Sequence, residues 1–431
     1  MLIQSLPHPP DLLALHVSDP AYFPFLLQGV GDRGWDVLMA APQAQTIYQD
    51  PLQADQFWSD LQALKFSELE NSPFPFIGGW FVFLSYELLH ALEPSVKSWE
   101  AADFPLAVLS RVPAAVLINR ESGEAWVIAE NEAEKAWHET IDRVSSLQDA
   151  EFQEEHIIPL AVREEAPEYF LDGVLAIQKY ILEGDVFQVN LSRAWTAEMP
   201  LGSRAASIYR QLRRVNPGPF NALADFGSTQ IISSSPERLL SLRQGLVSTR
   251  PIAGTHPRSA DPVEDLALKA RLINSSKERA EHIMLIDLER NDLGRICVPG
   301  SVRVEELMSV ETYAFVHHIE SVVSGQLRPT VHPAAAIAAL FPGGTITGCP
   351  KVRTMQIIRE LESGPRGAYT GSLGYINRDG SMDLNILIRS FMQNGTALQF
   401  RAGAGIVADS DPQRELAETR AKAKGLLRAL E

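Results

Sequence analysis

Cysteine is scarce in this chain of 431 residues, which carries only Cys297 and Cys349. Two thiols are too few for a disulfide framework or a thiolate zinc cluster, and a reducing compartment is the simplest expectation. Long apolar runs are also missing. The most apolar stretch, Phe74 to Leu89, is broken by Gly78, Gly79, Ser85 and Glu87 and is shorter than a membrane span. The opening MLIQSLPHPPDLL has neither the basic flank nor the apolar core of a secretory signal, so the expected location is cytoplasmic. Positive charge is in deficit: 38 Lys and Arg against 54 Asp and Glu leave a net −16. Duplex nucleic acid and anionic membrane surfaces are therefore poor partners, although local arginines and a metal would still admit an anionic small molecule. Nucleotide loops are absent too. FPGGTITG lacks the G-x-x-x-x-G-K-[ST] spacing, and AGAGIV lacks the third glycine of a dinucleotide fingerprint.

What remains is the composition of a large globular body, with 45% hydrophobic and 21% charged residues. Short strand-like runs such as DVLMAA, GWFVFL, AAVLIN and AWVIAE fill the first third. A polar, acidic connection from Ser145 to Pro167 predicts a division into an N-terminal lobe, residues 1–154, and a catalytic region, residues 155–431. Beyond it, Phe170, Val174, Ile177 and Ile181 form one helical stripe closed by Gly184. Further helices are expected near 262–290, 333–340, 350–362 and 412–430, among strands that do not alternate strictly with them. That order favours an α+β fold of antiparallel sheets with flanking helices over a doubly wound parallel one.

Two Glu-x-x-Glu steps stand out, Glu278/Glu281 in KERAEHIML and Glu415/Glu418 in PQRELAETRAKAK. Residues three apart share a helix face, so each step presents two carboxylates in one direction. Converging acids need a cation between them, and oxygen donors without His or Cys suit Mg²⁺ better than zinc. The plain alternative is a pair of solvated acidic faces on surface helices.

EHIMLIDLERNDLGR, RPIAGTHPR, FVHHIES, FPGGTITGCPK, MDLNILIR and AGAGIVADSDPQRELAETRAKAK together resemble the chorismate-utilising enzymes, continuously from about Glu168 to the C-terminus. The resemblance implies an anthranilate-synthase-like fold of two antiparallel sheet lobes. It implies chorismate as substrate and Mg²⁺ held by Glu281 and Glu418, with Glu415 as a further, water-mediated ligand. Glu278 is the better candidate to protonate a departing hydroxyl. It also places Arg389 and Tyr375 on a substrate carboxylate with the Gly403 and Gly405 amides, and Ala253, Gly254 and Thr255 of RPIAGTHPR beside the substrate. His318 falls near the substrate ring, with His317 on the opposite strand face. Thr345 contacts substrate, and Lys351 neutralises the acidic cluster. The polar run Asp287, Arg290, Asn291 and Asp292 reads as bracing for a helix end.

Within the family, water-adding members resemble KVVLSR where this chain has QVNLSR, so Gln188 stands in place of a basic lysine and ammonia becomes the expected nucleophile. Ala253 in PIAGT, where many aminodeoxychorismate synthases have PIKGT, points to anthranilate synthase. SSSPERLL, VHHIES, FPGG and MDLNI point to component I of aminodeoxychorismate synthase, which is the expectation: amination of chorismate to 4-amino-4-deoxychorismate on the route to p-aminobenzoate and folate. A separate glutamine amidotransferase is the expected ammonia source. Anthranilate synthase component I and a non-catalytic regulatory relative are the alternatives.

Overall fold

The apolar runs assemble into two antiparallel sheets in a computed structural model that describes residues 1–68, 72–99, 104–147, 150–259, 261–312 and 316–431. Among the described residues one sheet has 12 strands and the other 10. Period-two alternation sends one side-chain set of each sheet inward. Phe25, Val37 and Ile231 of the larger sheet thereby meet Phe81, Phe83 and Leu373 of the smaller in a shared core, where Phe25 stacks on Phe81 at 3.8 Å between ring centroids. Helices cover the outer faces, as the α+β expectation requires.

The sheets do not respect the expected division after residue 154. Strand Phe25–Gln28 pairs with Phe220–Asp225, and Gly79–Leu84 pairs with Ser372–Asn377. Strands from the first segment satisfy the open edges of strands from the second, so the polar connection joins two parts of the same sheets.

The helical stripe expected after Pro167 is the helix Pro167–Leu182, followed by Gly184 at a φ of +84°. The single helical stretch expected near 262–290 is two helices, Pro262–Asn274 and Ser276–Gly294. They part at Ser275, whose hydroxyl accepts from the Glu278 amide at 3.3 Å and caps the second helix. The C-terminal helix Pro412–Arg428 begins likewise, with Asp411 accepting from the Arg414 amide at 2.9 Å. The first acid of each step, Glu278 or Glu415, thus sits in the first turn of its helix, where the macrodipole favours a carboxylate. The helix Ala205–Val215 was not expected; it buries Ile208, Tyr209 and Leu212 on one stripe. Among the described residues no helix is long and apolar enough to cross a membrane.

Candidate active site

The two acidic helices bound one cavity of about 620 Å³. Its floor is the paired strands Gln188–Glu198 and Ala397–Ile406 of the larger sheet, and Ile252, Gly254 and His318 of the smaller sheet close another side. Glu278, Glu281, Glu415 and Glu418 all line it, together with Arg389, Thr345, Gly403 and Gly405. Residues more than a hundred positions apart are joined here because the C-terminal helix lies along the strand that precedes it, and the first acidic helix packs on the strand Val316–Gln326.

The cavity also holds a fifth acid, Glu237. It is 4% exposed, and burial pushes its carboxyl up to about 7, with the Thr345 hydroxyl donating to Oε1 and Arg389 opposing the rise. Sequence reasoning passed over it as a site residue, although it lies within SSSPERLL, one of the motifs already singled out. A carboxyl whose pKa is raised in this way suits proton donation near neutral pH.

Arg389 adopts φ +52°, a costly backbone for a residue with a side chain, held by its carbonyl accepting from the Ser234 amide at 3.1 Å. Burial lowers its pKa, with Glu237 partly offsetting that, and among the described residues its guanidinium forms no ion pair. A half-buried guanidinium facing a cavity in this way suits a carboxylate ligand. His318 is held near pKa 4, first by burial and then by Arg389. It is therefore neutral, and Nδ1 lies 3.3 Å from the Gly254 carbonyl, which places the proton on Nδ1 and the lone pair on Nε2. His317 points the other way, with Nε2 3.0 Å from Asp265, as strand alternation requires.

Two expected site residues lie elsewhere. Tyr375 is in the core between the sheets, edge-on to Phe76 at 5.6 Å, because alternation along Ser372–Asn377 sends it inward with Leu373. The tyrosine that lines the cavity is Tyr369, and an ideal Cβ at Gly403 would sit 2.8 Å from its hydroxyl. Lys351 opens the helix Lys351–Leu361 and binds Asp292 beside a second cavity on the far side of the first acidic helix. Asp292 also receives Arg295 at 3.1 Å, so the DLERND run braces the helix end as expected. The cation on the acidic wall is Lys422, 2.8 Å from Glu418 and donating to the Gly403 carbonyl at 3.0 Å. The side chains of Ala253 and Thr255 lie outside the described residues.

For Mg²⁺ the donor chemistry fits. Five carboxyls line the cavity against Arg389, Arg401 and Lys422, so an anionic ligand would enter an acidic chamber unless a cation came with it. No three His, Cys, Asp or Glu side chains among the described residues are close enough to cage an ion. Mg²⁺ needs no such cage, since it keeps several waters and takes one or two carboxylates plus its substrate.

A buried network holds the chamber in shape. Glu362 accepts from Arg366 at 2.7 Å, Arg401 at 3.1 Å and the Ser192 amide at 2.9 Å. Burial alone would raise its pKa, but the two guanidiniums outweigh that and hold it low. Arg366 also donates to the carbonyls of Asn190 at 2.7 Å and Ile346 at 3.1 Å, tying the floor strand to the Thr345 turn. Glu362→Gln leaves two buried guanidiniums without their counter-charge and should cost about 3–5 kcal/mol of stability, read by denaturant unfolding; a loss below about 1 kcal/mol would show that the network is not load-sharing in this way.

A family model described as chorismate binding enzyme matches residues 23–428. Aminodeoxychorismate synthase of Streptomyces griseus is 40% identical over 386 residues, which are 86% of this chain and 53% of that protein, so the chain spans about half of that relative's length. Aminodeoxychorismate synthase component 1 of Bacillus subtilis is 40% identical over 401 residues, covering 89% of this chain and 82% of that one. In three dimensions, the crystal structure of anthranilate synthase component I from Streptococcus pneumoniae superposes with a TM-score of 0.81 at 32% identity, covering 93% of each chain.

Proposed function

The chain belongs to the chorismate binding enzyme family, and on that premise we propose that it aminates chorismate with ammonia to 4-amino-4-deoxychorismate, as component I of an aminodeoxychorismate synthase. The observation that carries this reading is the single cavity in which both Glu-x-x-Glu steps face Arg389 and Glu237. Arg389 would hold one substrate carboxylate through its planar fork. Glu281 and Glu418 are the residues that would hold Mg²⁺ against the other, with Glu278 and Glu415 reaching it through water. Such an ion supplies Lewis-acid polarisation and a fixed orientation for the bound carboxylate.

The chemistry left to the side chains is a proton transfer and the placement of a nucleophile. As the ammonia lone pair forms the new carbon–nitrogen bond and the hydroxyl's carbon–oxygen bond breaks, Glu237 gives its proton to the departing oxygen, which leaves as water. The nitrogen, now carrying one proton too many, releases it and restores the Glu237 carboxyl. Thr345, bound to one carboxyl oxygen, leaves the other to carry the proton. Gln188 lines the cavity as a neutral amide, and an amide cannot deprotonate water, which favours ammonia as nucleophile. The enolpyruvyl group stays on the product, for a separate lyase to remove. Ammonia would come from free solution or from a separate glutamine amidotransferase subunit.

A second reading, anthranilate synthase component I, is favoured by Ala253 in PIAGT; there the neutral His318 would assist loss of pyruvate. Incubating the purified chain with chorismate, Mg²⁺ and ammonium separates the two. The expected product is aminodeoxychorismate, giving p-aminobenzoate only after an added lyase. Anthranilate and pyruvate formed by the chain alone would establish the second reading instead, and a chain that consumes no chorismate with any nitrogen source would be the non-catalytic relative.

A further inference from the structure

Of the residues that line the chamber, the exposed ones are Glu418, Ala421 and Lys422. Their spacing puts all three on one face of the helix Pro412–Arg428, so the chamber opens to solvent along that helix. The approach to this mouth is charged unlike the rest of the chain. From Thr419 to Arg428 the helix carries Arg420, Lys422, Lys424 and Arg428 and no acid. The helix Ala205–Val215 packs against it and carries Arg210, Arg213 and Arg214, again with no acid. The two helices meet at the edge of the chamber. Asn216, which ends the shorter helix, and Gly425 both line it, and an ideal Cβ at Gly425 would come 2.7 Å from the Asn216 side chain.

Three of these cations are engaged: Arg210 with Glu154 at 3.8 Å, Arg420 with Glu164 at 2.8 Å and Lys422 with Glu418 at 2.8 Å. Arg213, Arg214, Lys424 and Arg428 form no ion pair among the described residues, and all but Arg213 are exposed. Complementing a helix dipole accounts for cations in a last turn, and so for Arg213, Arg214 and Arg428. It does not account for Lys424, or for two basic helix ends converging on one opening. A substrate with two carboxylates approaches against the net −16 of the chain and the five acids of the chamber. Uncompensated cations at the mouth reverse that field locally, because a cleft with low-dielectric walls focuses it. The screening length at physiological salt is about 8 Å, so the effect belongs to the last stretch of the approach.

We propose that Arg213, Arg214, Lys424 and Arg428 form a cationic approach that gathers the dianionic substrate at the mouth of the chamber and does not touch it once it is bound. This role rests on chorismate being the ligand, as in the reading above, and is independent of where the amino group enters the ring.

The test combines Arg214→Gln, Lys424→Gln and Arg428→Gln in one full-length chain, leaving half-buried Arg213 and the residues of the chamber intact. Calorimetric titration of chorismate into the chain at fixed Mg²⁺, without ammonium, gives Kd across a series of NaCl concentrations. At low salt the variant should bind about tenfold more weakly, the lower end of the range for focused fields, and its Kd should rise less steeply with salt. At about 1 M NaCl, where the screening length is about 3 Å, parent and variant should converge. With ammonium added, kcat should stay within about twofold of the parent, since the cations act before the substrate is seated. The combination Lys65→Gln, Lys135→Gln and Arg303→Gln makes the same change of net charge outside both helices and should bind like the parent. An equal defect in that control, a defect that persists at high salt, or unaltered binding at low salt would each overturn the cationic approach. A parent that binds chorismate and forms no amino product overturns the amination reading and leaves this one standing. A parent that binds no chorismate at any salt overturns both.

Discussion

Glu281→Gln and Glu418→Gln should each abolish turnover of chorismate and weaken Mg²⁺ binding. Either substitution keeps the shape of the side chain and removes one of the charges that would hold the ion. A bound cation contributes several kcal/mol of charge stabilisation in reactions of this type, which corresponds to a loss of roughly a thousandfold or more in kcat. The two variants should differ in one respect. Glu418 is engaged by Lys422 at 2.8 Å, so its loss also releases a lysine into the chamber. Lys422→Met alone should accordingly tighten Mg²⁺ binding, because the ion no longer competes with the ammonium group for Glu418. Calorimetric Mg²⁺ titration and the Mg²⁺ dependence of kcat are the measurements. Unchanged metal dependence in both glutamine variants would remove the ion from this site.

Glu237→Gln should lower kcat about 10²- to 10⁴-fold, the usual contribution of a positioned acid. Its pKa, pushed up to about 7 by burial, gives the pH profile a definite sign. The acid works protonated, so kcat/KM for chorismate should fall as pH rises through about 7. The assay is run at a fixed concentration of unprotonated ammonia, because the supply of that species grows with pH. The glutamine variant should lose this descending limb. Stability gives a second readout. The folded chain holds this proton until about pH 7, and the unfolded chain releases it near the ordinary value of 4.5. The contribution to stability is therefore complete below about 4.5 and lost as pH rises through about 7. Glutamine cannot ionise, so above pH 7 the variant should melt higher than the parent. A descending limb that survives in Glu237→Gln would pass the acid role to another group.

Local patterns carried much of the architecture and the identity of the acids. The stripe Phe170, Val174, Ile177 and Ile181, the two Glu-x-x-Glu steps and the turn glycines are properties of a few neighbouring residues, and spacing reveals them. The family motifs likewise led to Arg389, His318 and Thr345, all of which line the cavity. The choice between tyrosines was not available at that level. Tyr369 and Tyr375 are six positions apart in one glycine-rich stretch, and only the inter-sheet packing against Phe76 shows which of them is core.

The amino-acid order by itself determined the α+β class, the two Glu-x-x-Glu steps and the shortage of positive charge, because each follows from composition or from patterns within a turn or two of chain. Tertiary structure alone decided that Glu237 joins the four acids and that Lys422 rather than Lys351 faces them. Burial and charge neighbourhood depend on which distant strands and helices pack together, and a carboxyl acquires a raised pKa only once that packing has taken its water away.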